Sequence, residues 1–329
     1  MRSKPLGESG IQASVVAFGA WAIGGGPWWG PTEDEESVRA IHAALDAGIT
    51  LIDTAPVYGF GRSEEVVGKA LRGRRENAVI ATKCGLWWHD ETGVPFFEQS
   101  GRVVRRSLEP RTIRREVEDS LRRLDTDVID VLQTHWQAVP PLATPIEDTM
   151  ACLLALKDEG KIRAIGASNA TTEQIERYRA GGPLDVCQPR YSMLDRRSEA
   201  DVLPYCALHG IATLVYSPLE QGLLTGRIGM EFMPGRDEFR NVLPWFRPAN
   251  RKRVLDLLAS WQGLVDAHGC TTAQLVIAWT LAQPGVTHAL CGARKVSQVL
   301  ENAGAADLEL SADELARMRR DVETLGQPQ

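Results

Sequence analysis

The 329-residue sequence predicts an α/β fold of the (β/α)8, or TIM-barrel, class. Eight short β-like runs alternate with amphipathic helical segments, the order of a barrel or a doubly wound sheet. Several runs are apolar almost throughout, as strands buried on both faces of a parallel sheet are. The stretch "GAWAIGGG" after the first run lacks G-x-G-x-x-G spacing, and no clean short helix follows it at once, which argues against the doubly wound alternative.

In chain order the strand candidates are Val15–Ala20, Thr50–Asp53, Ala78–Lys83, Val128–Thr134, Ile162–Ser168, Asp185–Pro189, Ile211–Tyr216 and Val286–Leu290. The segment before the first is an N-terminal cap. Thr32 and Glu35 have capping-box spacing ahead of an apolar stripe at Val38, Ile41 and Leu45, which Gly48 stops. Ile113, Val117, Leu121 and Leu124 form a second stripe with charges between them. Thr144 and Glu147 repeat the box with Pro145 in the first turn, and that helix ends at Gly160. Thr171 with Gln174 and Thr271 with Gln274 repeat it again, Pro284 ending the latter helix. Ser311 with Glu314 opens an extra C-terminal helix that no strand follows. Two connections are long, Cys84–Pro110 and Ser217–Asn250. They follow strands three and seven, so in a barrel both lie at the catalytic face, and loops of that length are usually functional. No composition break marks a linker, so residues 1–329 are expected to form one barrel domain.

With 43% hydrophobic and 24% charged residues, the chain suits a globular protein with a large core. The net charge is −6 and no Lys/Arg run forms a stripe for phosphate backbones, which excludes a nucleic-acid partner. No run of about 18 apolar residues would span a membrane. "MRSKPLGESGIQ" lacks the apolar stretch of a secretory signal. Cysteines 84, 152, 187, 206, 270 and 291 form no C-x-x-C pair and no zinc spacing, reading as reduced thiols in a cytoplasmic protein without a metal. "NAT" at 169–171 is discounted as a glycosylation site for the same reason. The chain can be a monomer or a homo-oligomer.

The strand ends carry a specific set of polar residues. Asp53 ends the second strand, with Tyr58 one short loop beyond in "IDTAPVYG". Lys83 ends the third, His135 the fourth, Ser168 and Asn169 the fifth, Gln188 the sixth, and Tyr216 with Ser217 the seventh. Singly, Asp53 reads as a helix cap, Lys83 as a solvated loop residue and His135 as a hydrogen-bonded core histidine. In a barrel all of them converge on one mouth, and an acid, a lysine, a histidine and a tyrosine aimed at one point are a catalytic constellation.

Long stretches then identify a resemblance: "IDTAPVYGFGRSEEVVGKAL", "ATKCGL", "VEDSLRRLDTDVIDVLQTHW", "KIRAIGASN", "VYSPLEQGLLTG" and "GARKVSQVLENAGA". The chain resembles the aldo-keto reductases, of the bacterial kind similar also to potassium-channel β subunits. The opening "LGESGIQASVVAFGAWAIGG" fits too, so the resemblance covers nearly the whole chain. It implies a barrel that reduces carbonyls with a nicotinamide cofactor and no metal. It implies a catalytic tetrad of Asp53, Tyr58, Lys83 and His135, with Tyr58 as acid. It implies that Ser168, Asn169 and Gln188 hold the carboxamide, that Tyr216 stacks on the nicotinamide, and that Ser217, Leu219 and Gly222 line the pyrophosphate path. In the last motif Gly292 permits close approach, Arg294 meets a 2′-phosphate, hence NADP(H), and Gln298, Glu301 and Asn302 face the adenosine. Arg227 and Arg247 could reach phosphates from the seventh loop.

Elementary chemistry reaches the same division of labour. A phenol with an ordinary pKa of about 10 is a poor acid. A neighbouring ammonium lowers that value, which gives Lys83 a place beside Tyr58. A carboxylate keeps the lysine charged where water is scarce, which gives Asp53 a place beside Lys83. His135 can donate a hydrogen bond to a carbonyl oxygen or share in proton transfer. Trp21, Trp87 and Trp136, with Trp88, Phe96, Phe97 and Trp245, are the candidate pocket walls, the pair 87–88 having the alternative of packing its loop onto the barrel. The expected activity is NADP(H)-dependent reduction of an aldehyde or ketone, or oxidation of a sugar-like alcohol. The competing expectation is a cofactor-bound regulatory or redox-sensing subunit. A metal-dependent barrel hydrolase lacks a ligand cluster.

Overall fold

The computed structural model describes residues 1–329. Eight parallel strands close into a barrel: β1 (Val16–Gly19), β2 (Leu51–Asp53), β3 (Val79–Cys84), β4 (Ile129–Thr134), β5 (Ile162–Ser168), β6 (Val186–Gln188), β7 (Ala212–Tyr216) and β8 (His288–Gly292). Each pairs with its sequence neighbour, and β8 returns to β1 with Ala289 opposite Val16. All eight candidates fall within two residues of the observed bounds.

Because side chains alternate along a strand, each strand feeds two cores. Phe18, Ile52, Ile80, Leu132, Ile165 and Val215 point outward into the main core beneath the helices. Ala17, Leu51, Ala81, Val131, Ala164, Val186, Leu214 and Leu290 point inward and fill the barrel. Its lower end is closed by an antiparallel hairpin, Ser3–Pro5 with Gln12–Ser14, whose Leu6, Ile11 and Ala13 join the interior cluster.

The helices are α1 (Asp34–Asp46), α2 (Arg62–Leu71), α3 (Pro110–Leu124), α4 (Ile146–Asp158), α5 (Thr172–Gly181), α6 (Val202–Leu208), α7 (Pro248–Ser260), α8 (Gln262–His268), α9 (Thr272–Leu281), α10 (Val296–Gly304) and α11 (Ala312–Leu325). None is long and apolar enough to cross a membrane. Reciprocal capping boxes form at Thr171/Gln174, Thr271/Gln274 and Ser311/Glu314. Two expected boxes do not form. The Thr32 hydroxyl donates to the Ile23 carbonyl at 3.1 Å, and α1 starts behind Glu33 instead. Pro145 occupies the N-cap of α4 in an extended conformation, so Thr144 lies one residue outside the helix.

The third loop folds into a three-stranded antiparallel sheet, Leu86–Trp87, Val94–Gln99 and Arg102–Arg106, with the last in the middle. The seventh carries three short 3-10 turns, Glu220–Thr225, Phe239–Val242 and Pro244–Phe246.

Behind β3, α3 buries Glu116, whose Oε2 accepts the Gly85 N–H at 2.8 Å while Oε1 has no partner. Burial pushes this carboxyl up to about 8, against that hydrogen bond. The folded chain therefore keeps a proton that the unfolded chain releases above the ordinary value of 4.5. Stability falls as pH rises from 4.5 to about 8. Glu116→Gln is expected to flatten this part of the profile and raise the Tm above the parent's in alkaline buffer; melting curves across pH check it, and an unchanged slope refutes it.

Candidate active site

Two residues beyond the apolar interior layer the inward positions turn polar: Leu51 is followed by Asp53, Ala81 by Lys83, Val131 by Gln133, Val186 by Gln188 and Leu214 by Tyr216. The polar floor of the mouth is thus built on rigid strands. Lys83 Nζ donates to Asp53 Oδ1 at 2.5 Å and to the Thr54 carbonyl at 2.9 Å. Both side chains are almost wholly buried, Lys83 at 0% and Asp53 at 5% exposure. Asp53 Oδ2 accepts from Gln188 Nε2 at 2.7 Å and from Gln133 Nε2 at 3.2 Å. Gln188 also donates to Gln133 Oε1 at 3.1 Å. A buried pair is tolerable only when its remaining lone pairs are satisfied, and the two amides do that here.

Tyr58 and His135 stand over this pair, half-buried. Lys83 Nζ lies 5.1 Å from the centre of the Tyr58 ring, and the Tyr58 and His135 rings meet edge-on at 5.8 Å. The loop carrying Tyr58 is set by backbone approach: a Cβ on Gly24 would come within 2.6 Å of the Tyr58 carbonyl carbon, and one on Gly59 within 2.3 Å of the Gly24 oxygen. The glycine-rich stretch after β1 therefore serves Tyr58.

The electrostatics correct one expectation. No hydrogen bond joins Lys83 to the Tyr58 hydroxyl; the ammonium donates to Asp53 and to the Thr54 carbonyl. Burial, with the Asp53 charge added, pushes the Tyr58 phenol well above its ordinary value rather than below it. Burial also lowers Lys83, opposed by Asp53. Burial, helped by the Lys83 charge, takes His135 well below its ordinary value. Tyr58 thus keeps its proton and His135 stays neutral around pH 7.

On the neighbouring strands the Tyr216 hydroxyl donates to Asn169 Oδ1 at 2.8 Å, and Asn169 Nδ2 donates to the His135 carbonyl at 3.0 Å. Ser168 Oγ donates to the Gln188 carbonyl at 2.9 Å. Gln188, expected on a carboxamide, turns its N–H to Asp53, leaving only its Oε1 for another donor. After β7, Ser217, Glu220, Gln221 and Gly222 have φ of 62°, 44°, 50° and 96°. Within this turn the Glu220 N–H donates to the Ser217 carbonyl and the Gly222 N–H to the Leu219 carbonyl, both at 3.0 Å. Leu219 within that turn packs on the main core, and the buried Gln221 Oε1 has no partner.

At the start of α10, Gln298 Oε1 accepts the Arg294 N–H at 2.9 Å and the Lys295 N–H at 3.2 Å, so its oxygen caps the helix. Arg294 Nη1 reaches the Trp29 carbonyl at 3.1 Å and no carboxylate. Glu301 is paired with Arg227 at 2.9 Å, Asn302 is buried, and Arg247 is exposed without a partner. A Cβ on Gly292 would meet nothing nearer than the Gly19 oxygen at 3.9 Å, so the fold leaves space there.

The rim is a chain of aromatic contacts. Tyr58 meets Trp21 at 6.1 Å, Trp21 meets Trp28 at 6.1 Å, Trp28 meets Phe97 at 5.1 Å, Phe97 meets Phe96 at 5.3 Å, and Phe96 meets Trp136 at 5.2 Å, beside His135. Trp87 is not in it. It is 4% exposed and donates Nε1 to Asp90 at 2.7 Å, so it fastens its own loop. Trp245 is likewise buried in the main core.

The sequence profile described as "Aldo/keto reductase family" matches residues 15–322. The chain belongs to the aldo/keto reductases. A curated relative of this reductase, the NADH-specific methylglyoxal reductase of Escherichia coli K12, is 45% identical over 327 residues, covering 99% of each chain. A solved glycerol dehydrogenase of Gluconobacter oxydans superposes with a TM-score of 0.86 at 39% identity, covering 99% of this chain and 96% of its own. An aldo/keto reductase of Klebsiella pneumoniae, solved with NADP and acetate, gives a TM-score of 0.71 at 28% identity, covering 100% and 97%.

Three residues of this reductase's site escaped the sequence reading. Gln133 shares the inward phase of Val131 but stands two residues before the more conspicuous His135. Trp28 reaches the rim from a loop without periodicity, and Gly24 is explained only by what approaches it. Lys83→Met would leave Asp53 buried without its cation, which costs roughly 3–5 kcal/mol in comparable buried pairs. The double substitution Asp53→Asn with Lys83→Met should recover much of that loss in denaturant titrations; additive losses would show that the pair does not couple.

Proposed function

We propose that this protein reduces an aldehyde or ketone with a nicotinamide cofactor, Tyr58 acting as general acid. The observation that carries the reading is the Tyr58 and His135 rings meeting edge-on at 5.8 Å above a buried Lys83–Asp53 pair. When bound, the reduced nicotinamide supplies the hydride. Tyr58 holds the proton, at its phenol oxygen, that a carbonyl oxygen gaining charge requires. A neutral His135 donates a hydrogen bond to that oxygen and fixes its position. Lys83, held by Asp53, lies under the Tyr58 ring at 5.1 Å from its centre and completes the buried floor on which Tyr58 stands. Gln133 and Gln188 keep Asp53 aimed at Lys83. Asn169, Ser168 and the free Gln188 oxygen fit a carboxamide, Tyr216 a ring face, and the turn at 217–222 a pyrophosphate. The four intact tetrad positions favour an enzyme over a regulatory subunit. Trp21, Trp28 and Trp136 suit an apolar or sugar-like carbonyl substrate.

Tyr58→Phe should lower turnover by roughly 10²–10⁴-fold, the usual contribution of general acid–base groups, with cofactor binding retained. In the parent, kcat/KM for reduction should be flat between the ordinary values of 6.5 and 10.0, since His135 titrates below this window and Tyr58 above it. Steady-state assays across pH with both proteins check this; parent-like turnover in the variant overturns the role, and an inflection near neutrality in the parent overturns the protonation states.

The similarities do not choose between the two dinucleotides, since one relative is named NADH-specific and one neighbour holds NADP. We propose NADP(H), because Arg294 at the start of α10 has no carboxylate partner and stands beside Lys295. A charge-assisted hydrogen bond is worth roughly 1.5–3 kcal/mol, or roughly one to two decades of affinity. Arg294→Ala should weaken NADPH about tenfold, toward the lower end because salt screens this site, and NADH little. Fluorescence titration of both cofactors decides it. Equal weakening, or a parent without preference for NADPH, refutes the assignment.

A further inference from the structure

Arg106 ends the central strand of the third-loop sheet. Along that strand Arg102, Val104 and Arg106 share one face. Val104 packs with Ala55 and Val57 in the small cluster against which Tyr58 and Trp136 rest, so this is the face turned onto the barrel mouth. It delivers the Arg106 guanidinium onto the rim, 3.8 Å from the centre of the Phe96 ring and 4.8 Å from that of Trp136.

Its polar atoms have nothing to do. Arg106 makes no side-chain hydrogen bond, no carboxylate comes within ion-pair reach, and its Nε is buried without a partner. The other arginines lacking a protein partner, Arg39, Arg102, Arg236, Arg247 and Arg320, are exposed, where water satisfies them. A half-buried guanidinium between two aromatic rings has surrendered part of its hydration, and burial alone lowers its pKa. The two rings hold the guanidinium at the rim with no protein partner, and a guanidinium fork suits a bidentate oxyanion.

We propose that Arg106 recognises an anionic substituent, a carboxylate or a phosphate ester, on the carbonyl substrate. Trp136 follows His135 in sequence and carries the guanidinium on its ring, so an anion held there belongs to a molecule whose other end lies over Tyr58. The substrate class is accordingly a short aldehyde or ketone with a remote negative charge. The proposal rests on the reading of the Tyr58 site as a carbonyl reductase.

The test uses matched pairs: butanal against 4-oxobutanoate, and glyceraldehyde against glyceraldehyde 3-phosphate. The parent should prefer the charged member of at least one pair in kcat/KM by about tenfold or more, the gain expected of one charge-assisted contact. The responding pair tells carboxylate from phosphate. Arg106→Met should collapse that ratio to near one, acting mainly through KM, and Arg106→Lys should restore part of it. A parent without preference, or a ratio that survives in Arg106→Met, overturns the proposal while turnover of the neutral members leaves the carbonyl-reductase reading standing. If no carbonyl is turned over, that reading fails. Tryptophan fluorescence titrated with succinate and with inorganic phosphate then decides the anion site alone: quenching in the parent that Arg106→Met abolishes supports it, and identical curves overturn it.

Discussion

Lys83 and Asp53 form an ion pair buried from solvent, and that placement constrains the strands around it. The desolvation of two charges is repaid only if every remaining donor and acceptor is met. Asp53 needs donors on its second oxygen, and the inward positions of β4 and β6 supply them as neutral amides, Gln133 and Gln188. Lys83 needs a further acceptor, and the chain leaving β2 supplies it as the Thr54 carbonyl. The barrel brings four strands to the pair at one level, with an apolar layer beneath it. Burial is the first cause of the upward shift of Tyr58 and the downward shift of His135, ahead of the charges of the pair.

Strands and loops divide the work. The polar floor sits on strand ends, where the closed sheet holds each side chain. The aromatic rim comes from the first four loops, and Phe239 of the seventh meets Trp21 from outside at 5.5 Å. A rim built this way can vary in shape and charge without disturbing the floor.

The strands were legible because a parallel sheet buried on both faces writes itself as short apolar runs, and the polar ends were legible because they interrupt those runs. Gln133 was within reach by the same period-two phase but was overshadowed by its neighbour. Capping boxes were read correctly where the first turn was free, and misread where Ile23 competed for the Thr32 hydroxyl or Pro145 took the cap itself. The third-loop hairpin also left a trace, Ser100-Gly101, both left-handed with φ of 51° and 72°. The aromatics left none: Trp87 and Trp245 are the same residue type as Trp21, and only distant partners decide which is interior and which is rim. The influence of Lys83 on Tyr58 was misjudged for a related reason, since which acceptors engage an ammonium is a property of the folded site.

The hairpin under the barrel ties the beginning of the chain to its end. The Met1 amino group pairs with Asp307 at 3.1 Å, Arg2 Nε donates to the Ala306 carbonyl at 2.6 Å, and β1 borders β8. The hairpin therefore finds its partners far along the chain, at separations of 306 and 304 residues. Until they meet, β1 presents an open edge and the plug has no cylinder to close, a state in which nascent chains are vulnerable to wrong pairing. Closure of the barrel thus depends on contacts of very high sequence separation, the kind that form slowly because a long loop must be closed first.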